Sequence, residues 1–129
     1  MTGGICNSFK RDLFLGLHQP GDEYRLALFV GTSSLCAATE TYSAAGEASG
    51  QGYESGGRRV SLVAGKDACL NIAKFPTWDN STITARGALV YNASKGNRAV
   101  VVLDFGRDYS SMNGPFTIHP PEGDLICIL

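Results

Sequence analysis

The fold is decided by residues 77–105, TWDNSTITARGALVYNASKGNRAVVVLDF, in which two apolar runs flank a short polar segment. The first run ends in residues 88–91 (ALVY) and the second covers residues 100–105 (VVVLDF). Both are rich in the β-branched and aromatic residues that favour strands. The intervening residues 92–97 (NASKGN) are small, polar or glycine, which suits a reversal of the chain. The stretch therefore predicts a β-hairpin at the centre of the fold.

Shorter apolar runs recur on both sides of this hairpin, each bounded by glycine, proline or small polar residues. Residues 106–115 are mostly polar and are expected to form a loop. Many short strands separated by frequent turn signals are typical of two packed sheets. The further strands are predicted at residues 24–30, 60–64, 69–75, 116–118 and 125–129.

One segment near the N-terminus follows a helical period instead. Ile5, Phe9 and Leu13 recur every fourth residue, so residues 7–15 are predicted to form a short helix with one apolar side. The charged residues 10–12 (KRD) are expected on the opposite side, in solvent. The start of this helix offers two candidate capping residues, Asn7 and Ser8.

The length of the chain, 129 residues, fits a single domain. No internal repeat and no linker divide the sequence, which is consistent with one hydrophobic core. We therefore predict an all-β fold for residues 1–129, a β-sandwich with a short N-terminal helix, with the jelly roll as a candidate topology.

Residues 46–57, GEASGQGYESGG, form a glycine-rich segment with a single aromatic residue, Tyr53. Such a segment has too little apolar surface to hold a shape of its own. The pattern predicts a mobile loop or a long hairpin tip, and we interpret it as an arm that orders on another subunit. A nucleotide-binding loop is disfavoured because the glycines do not follow a strand and open a helix.

The overall charge and hydropathy argue against two classes of partner. A net charge of −1 and a pI of about 6.1 do not suit a protein that binds nucleic acid, because phosphates require a basic face. No apolar run approaches the ~20 residues that span a bilayer, so no membrane partner is predicted. Charged residues make up 18% of the chain, below the usual level of about a quarter, which favours surfaces covered by neighbouring subunits.

Candidate catalytic residues are few. The two histidines, His18 and His119, lie in loops beside prolines and have no nucleophile or carboxylate at a diagnostic spacing. We interpret them as surface or interface residues, while a Ser-His-Asp site that assembles only in three dimensions stays open as an alternative. We predict no catalytic residue, no cofactor and no metal site.

The cysteines are too widely scattered for a structural zinc site, whose ligands usually come in close pairs. Because the chain shows no export signal, Cys36, Cys69 and Cys127 are expected to be buried free thiols. Cys6, near the N-terminus, is the candidate for a disulfide between subunits.

Four segments carry a resemblance to a known family. They are ICNSFK (residues 5–10), PTWDNSTITARGALVYN (76–92), VVLDFGRDYSS (101–111) and NGPFTI (113–118). In order and spacing, the chain resembles a family of small virion structural proteins of tailed bacteriophages. The resemblance implies a non-enzymatic, β-rich particle component, in particular a capsid decoration or cement protein that works as a homotrimer. Its expected partners are the major capsid protein or other virion proteins, within a particle assembled in the host bacterial cytoplasm.

Two alternatives remain within this interpretation. One is a neck, collar or tail-fibre structural protein, and the other is a module that recognises host glycans. The glycan alternative depends on the compact cluster of Trp78, Asp79 and Asn80. For the decoration protein, six residues of the helix, the glycine-rich segment and the hairpin region are the predicted interface: Phe9, Leu13, Phe14, Tyr53, Arg58 and Trp78.

Overall fold

The computed structural model describes residues 1–19, 21–64 and 69–118, together with the backbone of residues 126–127. These residues form antiparallel sheets and one short helix in a sandwich-like arrangement. The prediction of an all-β fold with a short N-terminal helix is therefore confirmed, while the jelly-roll topology stays a prediction. The elements, in chain order, are β1 Gly4–Ile5, α1 Asn7–Phe14, β2 Tyr24–Phe29, β3 Arg58–Val60, β4 Leu62–Ala64, β5 Cys69–Ile72, β6 Thr77–Ser81, β7 Thr84–Asn92, β8 Arg98–Ser110, β9 Gly114–Thr117 and β10 Ile126–Cys127.

The predicted hairpin, β7 and β8, lies at the centre of a five-stranded sheet with the order β1-β8-β7-β2-β3. A short 3₁₀ turn joins its strands and ends at Gly96, which adopts the left-handed conformation that the reversal requires. The side chains of β2 and β7 are mostly buried, so both strands lie inside the core. The same core includes Phe9 from α1, Trp78 from β6 and Phe116 from β9. The start of the quoted stretch is a separate strand, because β6 pairs with β9 and not within the hairpin.

The second predicted strand pair, residues 60–64 and 69–75, is present in part, because Val60 belongs to β3 of the other sheet and β5 ends at Ile72. β4 pairs with β5, and the backbone of β10 pairs with the other edge of β5. The connection at residues 65–68, the remainder of the predicted strand at residues 125–129, and His119 lie outside the described residues.

β8 continues further than predicted, to Ser110, and β9 begins at Gly114. The predicted loop over residues 106–115 is therefore wrong for most of its length. The β7–β8 pairing is irregular at this point, and Arg86 donates a hydrogen bond to the carbonyl of Gly106 across the irregularity. The loop was predicted because these residues are polar, but a strand that is exposed to solvent does not require apolar side chains.

The helix is confirmed, but its start differs from the prediction. Cys6 is the N-cap and makes no side-chain capping bond, so the predicted caps at Asn7 and Ser8 are wrong. The reason is that the N–H of Cys6 still bonds the carbonyl of Val100, as a continuation of β1, and the helix begins directly after it. Asp12 is only 2% exposed, so its expected position in solvent is also wrong.

The glycine-rich segment 46–57 is packed on its own sheet, so the interpretation that it takes its shape only on another subunit is wrong. β3 covers the first half of the outer edge of β2. Further along this edge, the N–H of Val30 bonds the carbonyl of Gly46, and the N–H of Ala48 bonds the carbonyl of Leu28. The loop thus satisfies backbone groups of β2 that β3 does not reach.

The close packing of this loop predicts a large effect at Gly57, where φ is 77° and a Cβ atom would overlap the carbonyl of Leu26. We expect Gly57→Ala to lower the free energy of unfolding by about 2–4 kcal/mol, because backbone strain and overpacking add. Gly96→Ala is the matched control, since φ is 66° there but the space is open, and about 1 kcal/mol is expected. Urea unfolding, followed by the fluorescence of Trp78, measures the free energy of unfolding of both variants. Equal decreases in Gly57→Ala and Gly96→Ala would contradict the close packing of Gly57 against Leu26.

Candidate functional site

The predicted interface residues fall into two groups: Phe9, Leu13 and Phe14 on α1, and Tyr53, Arg58 and Trp78 around the glycine-rich loop. Two of them, Phe9 and Trp78, are each only 1% exposed. Their side chains are packed within this chain and offer no surface to a partner, so the structure corrects both to core residues. Leu13 and Tyr53 are half-buried, and Phe14 and Arg58 are exposed.

The second group forms a stack that ends at the surface. The ring centroids of Tyr53 and Trp78 are 5.7 Å apart, and the guanidinium of Arg58 lies 5.6 Å from the centroid of the Trp78 ring. The latter is a cation–π contact. Arg58 also donates a hydrogen bond of 3.1 Å to the carbonyl of Thr77. The stack therefore fixes a cationic head group at the surface, above a buried tryptophan.

Glu47 organises the loop that supplies Tyr53. Its carboxylate accepts four hydrogen bonds, from the hydroxyls of Tyr42 (2.5 Å), Tyr53 (2.5 Å) and Ser55 (2.9 Å) and from the N–H of Gly56 (2.8 Å). A half-buried carboxylate loses water contacts, and these donors replace them. Glu47, in the first half of the loop, thereby binds Tyr53, Ser55 and Gly56 in the second half.

The hydroxyl of Tyr53 connects this centre to the sheet. It donates to Glu47 and accepts the N–H of Leu28 at 2.9 Å. Burial raises the pKa of Tyr53, and the hydrogen bond to Glu47 raises this pKa further. The hydroxyl is therefore protonated at neutral pH, as the hydrogen bond to a carboxylate requires.

The first group of predicted residues leads to an exposed apolar surface at the end of α1. Phe14 is 91% exposed and Leu15 is 63% exposed. Phe14 and Leu15 do not line a cavity of about 370 Å³, but the preceding residue, Leu13, does, together with other mostly apolar side chains that include Leu62 and Leu70. Large exposed apolar residues beside an apolar cavity are typical of a protein contact surface. We call Phe14, Leu15 and this cavity the helix-end patch.

A buried chain of polar groups supports the helix-end patch. Asp12 accepts hydrogen bonds from Nε of Arg98 at 2.9 Å and from Nη2 at 3.0 Å. Nε2 of His18 lies 3.6 Å from Oδ2 of Asp12, and Nδ1 of His18 lies 3.0 Å from Nδ2 of Asn92. Asn92 also donates to Asp22 at 2.7 Å. The network ties α1 and the following loop to the central hairpin.

Pairing and burial set the charges in this network. The hydrogen bonds from Arg98 lower the pKa of Asp12, and those from Lys95 are the main reason that the pKa of Asp22 falls to about 2. Burial lowers the pKa of His18 below its ordinary value of 6.5, although two carboxylates oppose the shift. At neutral pH the carboxylates are ionised and the His18 ring is neutral.

The expected surface position of His18 is wrong. Its side chain is 3% exposed, and its ring lies 4.9 Å from that of Phe9 and 6.3 Å from that of Tyr24. The ring nitrogens face Asp12 and Asn92, so His18 joins parts of the fold and has no nucleophile beside it in this network.

The cysteines differ from one another. Cys6 is fully buried and burial raises the pKa of its thiol to about 11, so the proposed disulfide between subunits at Cys6 is wrong for this fold. Cys6 and Cys36 are free, whereas Cys69 is disulfide-bonded. The prediction of a buried free thiol is therefore confirmed for Cys36 only in part, because its thiol is free but half-buried, and it is wrong for Cys69. The side chain of Cys127 lies outside the described residues.

Sequence analysis missed the network residues Asp12 and Arg98 and the loop residue Glu47. For Asp12 a signal existed, because it follows Phe9 by three residues and so lies on the same side of the helix. Arg98 lies 86 positions from its partner, a separation that no local pattern detects. Glu47 stands in a polar, glycine-rich segment where an acidic residue has no unusual neighbours.

Three further findings bear on function. In the part of the chain that the structure describes, no three His, Cys, Asp or Glu side chains gather as a possible metal site. None of the helices described has the length and the apolar character needed to cross a membrane. Comparison of the chain with protein-family models, curated proteins and solved structures finds no match.

The buried network predicts loss of stability in acid, in two steps. Below pH 6.5 the unfolded chain binds a proton at His18 that the folded chain resists, so the free energy of unfolding falls by up to about 1.4 kcal/mol per pH unit. Asp12 and Asp22 cause a second loss of stability below their ordinary carboxyl pKa of 3.8. Their pKa values are lowered in the folded chain, so protons bind the unfolded chain more readily and the free energy of unfolding falls again.

Urea unfolding at a series of pH values measures this dependence. His18→Leu should remove the step that begins below about pH 6.5 and leave the acid step of the carboxylates, which begins below about pH 3.8. An unchanged slope just below pH 6.5 in His18→Leu would show that the buried ring is not the source of this step.

Proposed function

We propose that this chain is a structural component of a tailed-phage virion, most specifically a capsid decoration or cement protein that binds and stabilises neighbouring capsid subunits. In this role the chain has no catalytic task and acts as a homotrimer on the particle surface. Its partners are the major capsid protein or other virion proteins. The resemblance of four sequence segments supports this proposal, and so does the exposed apolar surface at the end of α1.

The single observation that carries the proposal is the helix-end patch. A phenylalanine that is 91% exposed gains nothing from its own fold. A partner that covers Phe14 would gain about 2 kcal/mol from removing this side chain from water. The adjoining cavity, lined by Leu13, Leu62 and Leu70 among others, offers space for an apolar side chain of the partner.

Association through several copies makes such a modest contact sufficient. When one copy of a trimer is bound, the other two are held close to their own sites, so the contacts combine into tight attachment. The rigid support of the patch by Asp12 and Arg98 fits this role, because an ordered surface loses less entropy on binding.

Two alternative functions are separated by simple observations. A neck, collar or tail-fibre protein would be present in about a dozen copies per virion or fewer, whereas a decoration protein would be present in the order of hundreds. A glycan-binding module receives no support from Trp78, which is 1% exposed and lies between Tyr53 and Arg58. It therefore has no free ring face for a sugar.

Binding of the purified chain to undecorated shells of the encoding virus tests the proposal. We expect the wild-type chain to bind, and Phe14→Ser to weaken binding by at least about tenfold, because each copy loses its apolar contact. Met112→Ser is the matched control, since Met112 is 83% exposed but lies outside the helix-end patch. Cosedimentation with quantitative mass spectrometry provides the measurement.

The result that would contradict the proposal is absence of binding to shells and absence of the chain from purified virions. Equal effects of Phe14→Ser and Met112→Ser would reject the helix-end patch as the contact surface. Because both residues are exposed, neither substitution should unfold the chain.

A further inference from the structure

A second surface feature shares none of its lining residues with the helix-end patch and includes Arg58. It is a groove of about 610 Å³ between β3 and the segment that precedes β6. Arg58 and Arg59 of β3 line one side, and Lys74, Phe75 and Pro76 line the other. We call this the basic groove.

The charge of the basic groove is unbalanced. Arg58, Arg59 and Lys74 face a single acidic residue, Asp79, along its lining. The side chains of Arg59 and Lys74 make no hydrogen bond or ion pair with any residue that the structure describes. Five other cations pair with carboxylates, namely Arg11, Arg25, Arg86, Lys95 and Arg98, whereas Lys10 and Arg107 have no carboxylate partner among the described residues.

The position of Arg59 adds to this imbalance. In the pairing of β2 with β3, Arg59 lies directly opposite Arg25. Like charges at such positions repel each other. Arg25 is partly compensated by Glu23 at 3.0 Å, but Arg59 has no such partner among the described residues. An anion in the groove would relieve the repulsion.

The backbone beside the groove is suited to an extended ligand. β3 is the last strand of the five-stranded sheet, and none of the described strands pairs with its outer edge. At one end of the groove the N–H of Ala73 bonds the carbonyl of Ser61, which joins its two sides. An extended peptide can add to such an edge through backbone hydrogen bonds.

The composition of the groove selects among anionic ligands. Val60, Phe75 and Pro76 give it apolar walls, which suit amino-acid side chains. Nucleic acid fits less well, since it requires a wider basic face and exposed aromatic rings, and the nearby Trp78 is buried.

We propose that the basic groove binds an extended acidic segment of a partner protein, with carboxylates at Arg59 and Lys74, apolar side chains against Phe75 and Pro76, and the peptide backbone along β3. Arg58, held by Trp78 and Thr77, provides a third and pre-positioned cation. This site is independent of the virion assignment, because it follows from the charges and the sheet edge alone.

A labelled peptide of about eight residues with alternating glutamate and valine is the probe, because alternation places the carboxylates on one side of a strand. Fluorescence anisotropy at about 0.05 M and 0.15 M salt measures its dissociation constant. The same peptide with lysine in place of glutamate, a short oligothymidylate and inorganic phosphate are compared with it.

We expect the acidic peptide to bind, and Arg59→Ser with Lys74→Ser to raise its dissociation constant by about tenfold or more. Lys10→Ser with Arg107→Ser is the matched control. This control also removes two positive charges, but from outside the groove. It should change the dissociation constant of the acidic peptide by less than about twofold. Phe14→Ser should also leave peptide binding unchanged, which separates this site from the helix-end patch.

Three results would overturn the proposal. They are absence of binding by the acidic peptide, equal weakening in the two double variants, and tighter binding of oligothymidylate or phosphate than of the peptide. All four substituted residues of the double variants are exposed or partly exposed, so folding is retained, and Trp78 fluorescence checks it.

Discussion

The carboxylate of Glu47 is the constraint on which one whole side of this molecule depends. Its four hydrogen bonds close a loop that has few apolar residues and five glycine positions with positive φ: Gly46, Gly50, Gly52, Gly56 and Gly57. Such a loop has high conformational entropy when free. Once it is closed, Tyr53 reaches the backbone of Leu28 and supports Trp78, and Trp78 in turn holds Arg58 beside the basic groove.

The other side of the molecule depends on a second ionic anchor. Asp12 and Arg98 join the helix to the hairpin, and the helix carries the exposed Phe14. A buried pair of this kind contributes little net free energy, but loss of one partner is costly because an uncompensated charge remains. Two surfaces are proposed for contact, and each is positioned by polar groups within the fold. The Asp12–Arg98 pair positions the apolar surface, and the Glu47 carboxylate positions the basic one.

The sequence predicted the elements whose signals are local. The hairpin followed from two strand-forming runs around residues 92–97, and α1 followed from the spacing of Phe9 and Leu13, whereas Ile5, counted in the same period, lies in β1. The glycine-rich segment was misread, because its order comes from Glu47 and from the edge of β2, and neither is visible in composition. Sequence analysis placed Tyr53, Arg58 and Trp78 in one candidate set, but not the contact between them, which forms only when distant segments meet.

Hydrogen exchange of the backbone N–H of Gly56 and Leu28 tests the role of Glu47 most directly, because one is bonded to its carboxylate and the other to the hydroxyl of Tyr53. Glu47→Ala should accelerate exchange at both amides by about 100-fold, as several hydrogen bonds of the loop are lost together. Glu54→Ala, an exposed acidic residue of the same loop, should leave both rates unchanged. Equal protection in Glu47→Ala and Glu54→Ala would show that the carboxylate does not hold the loop.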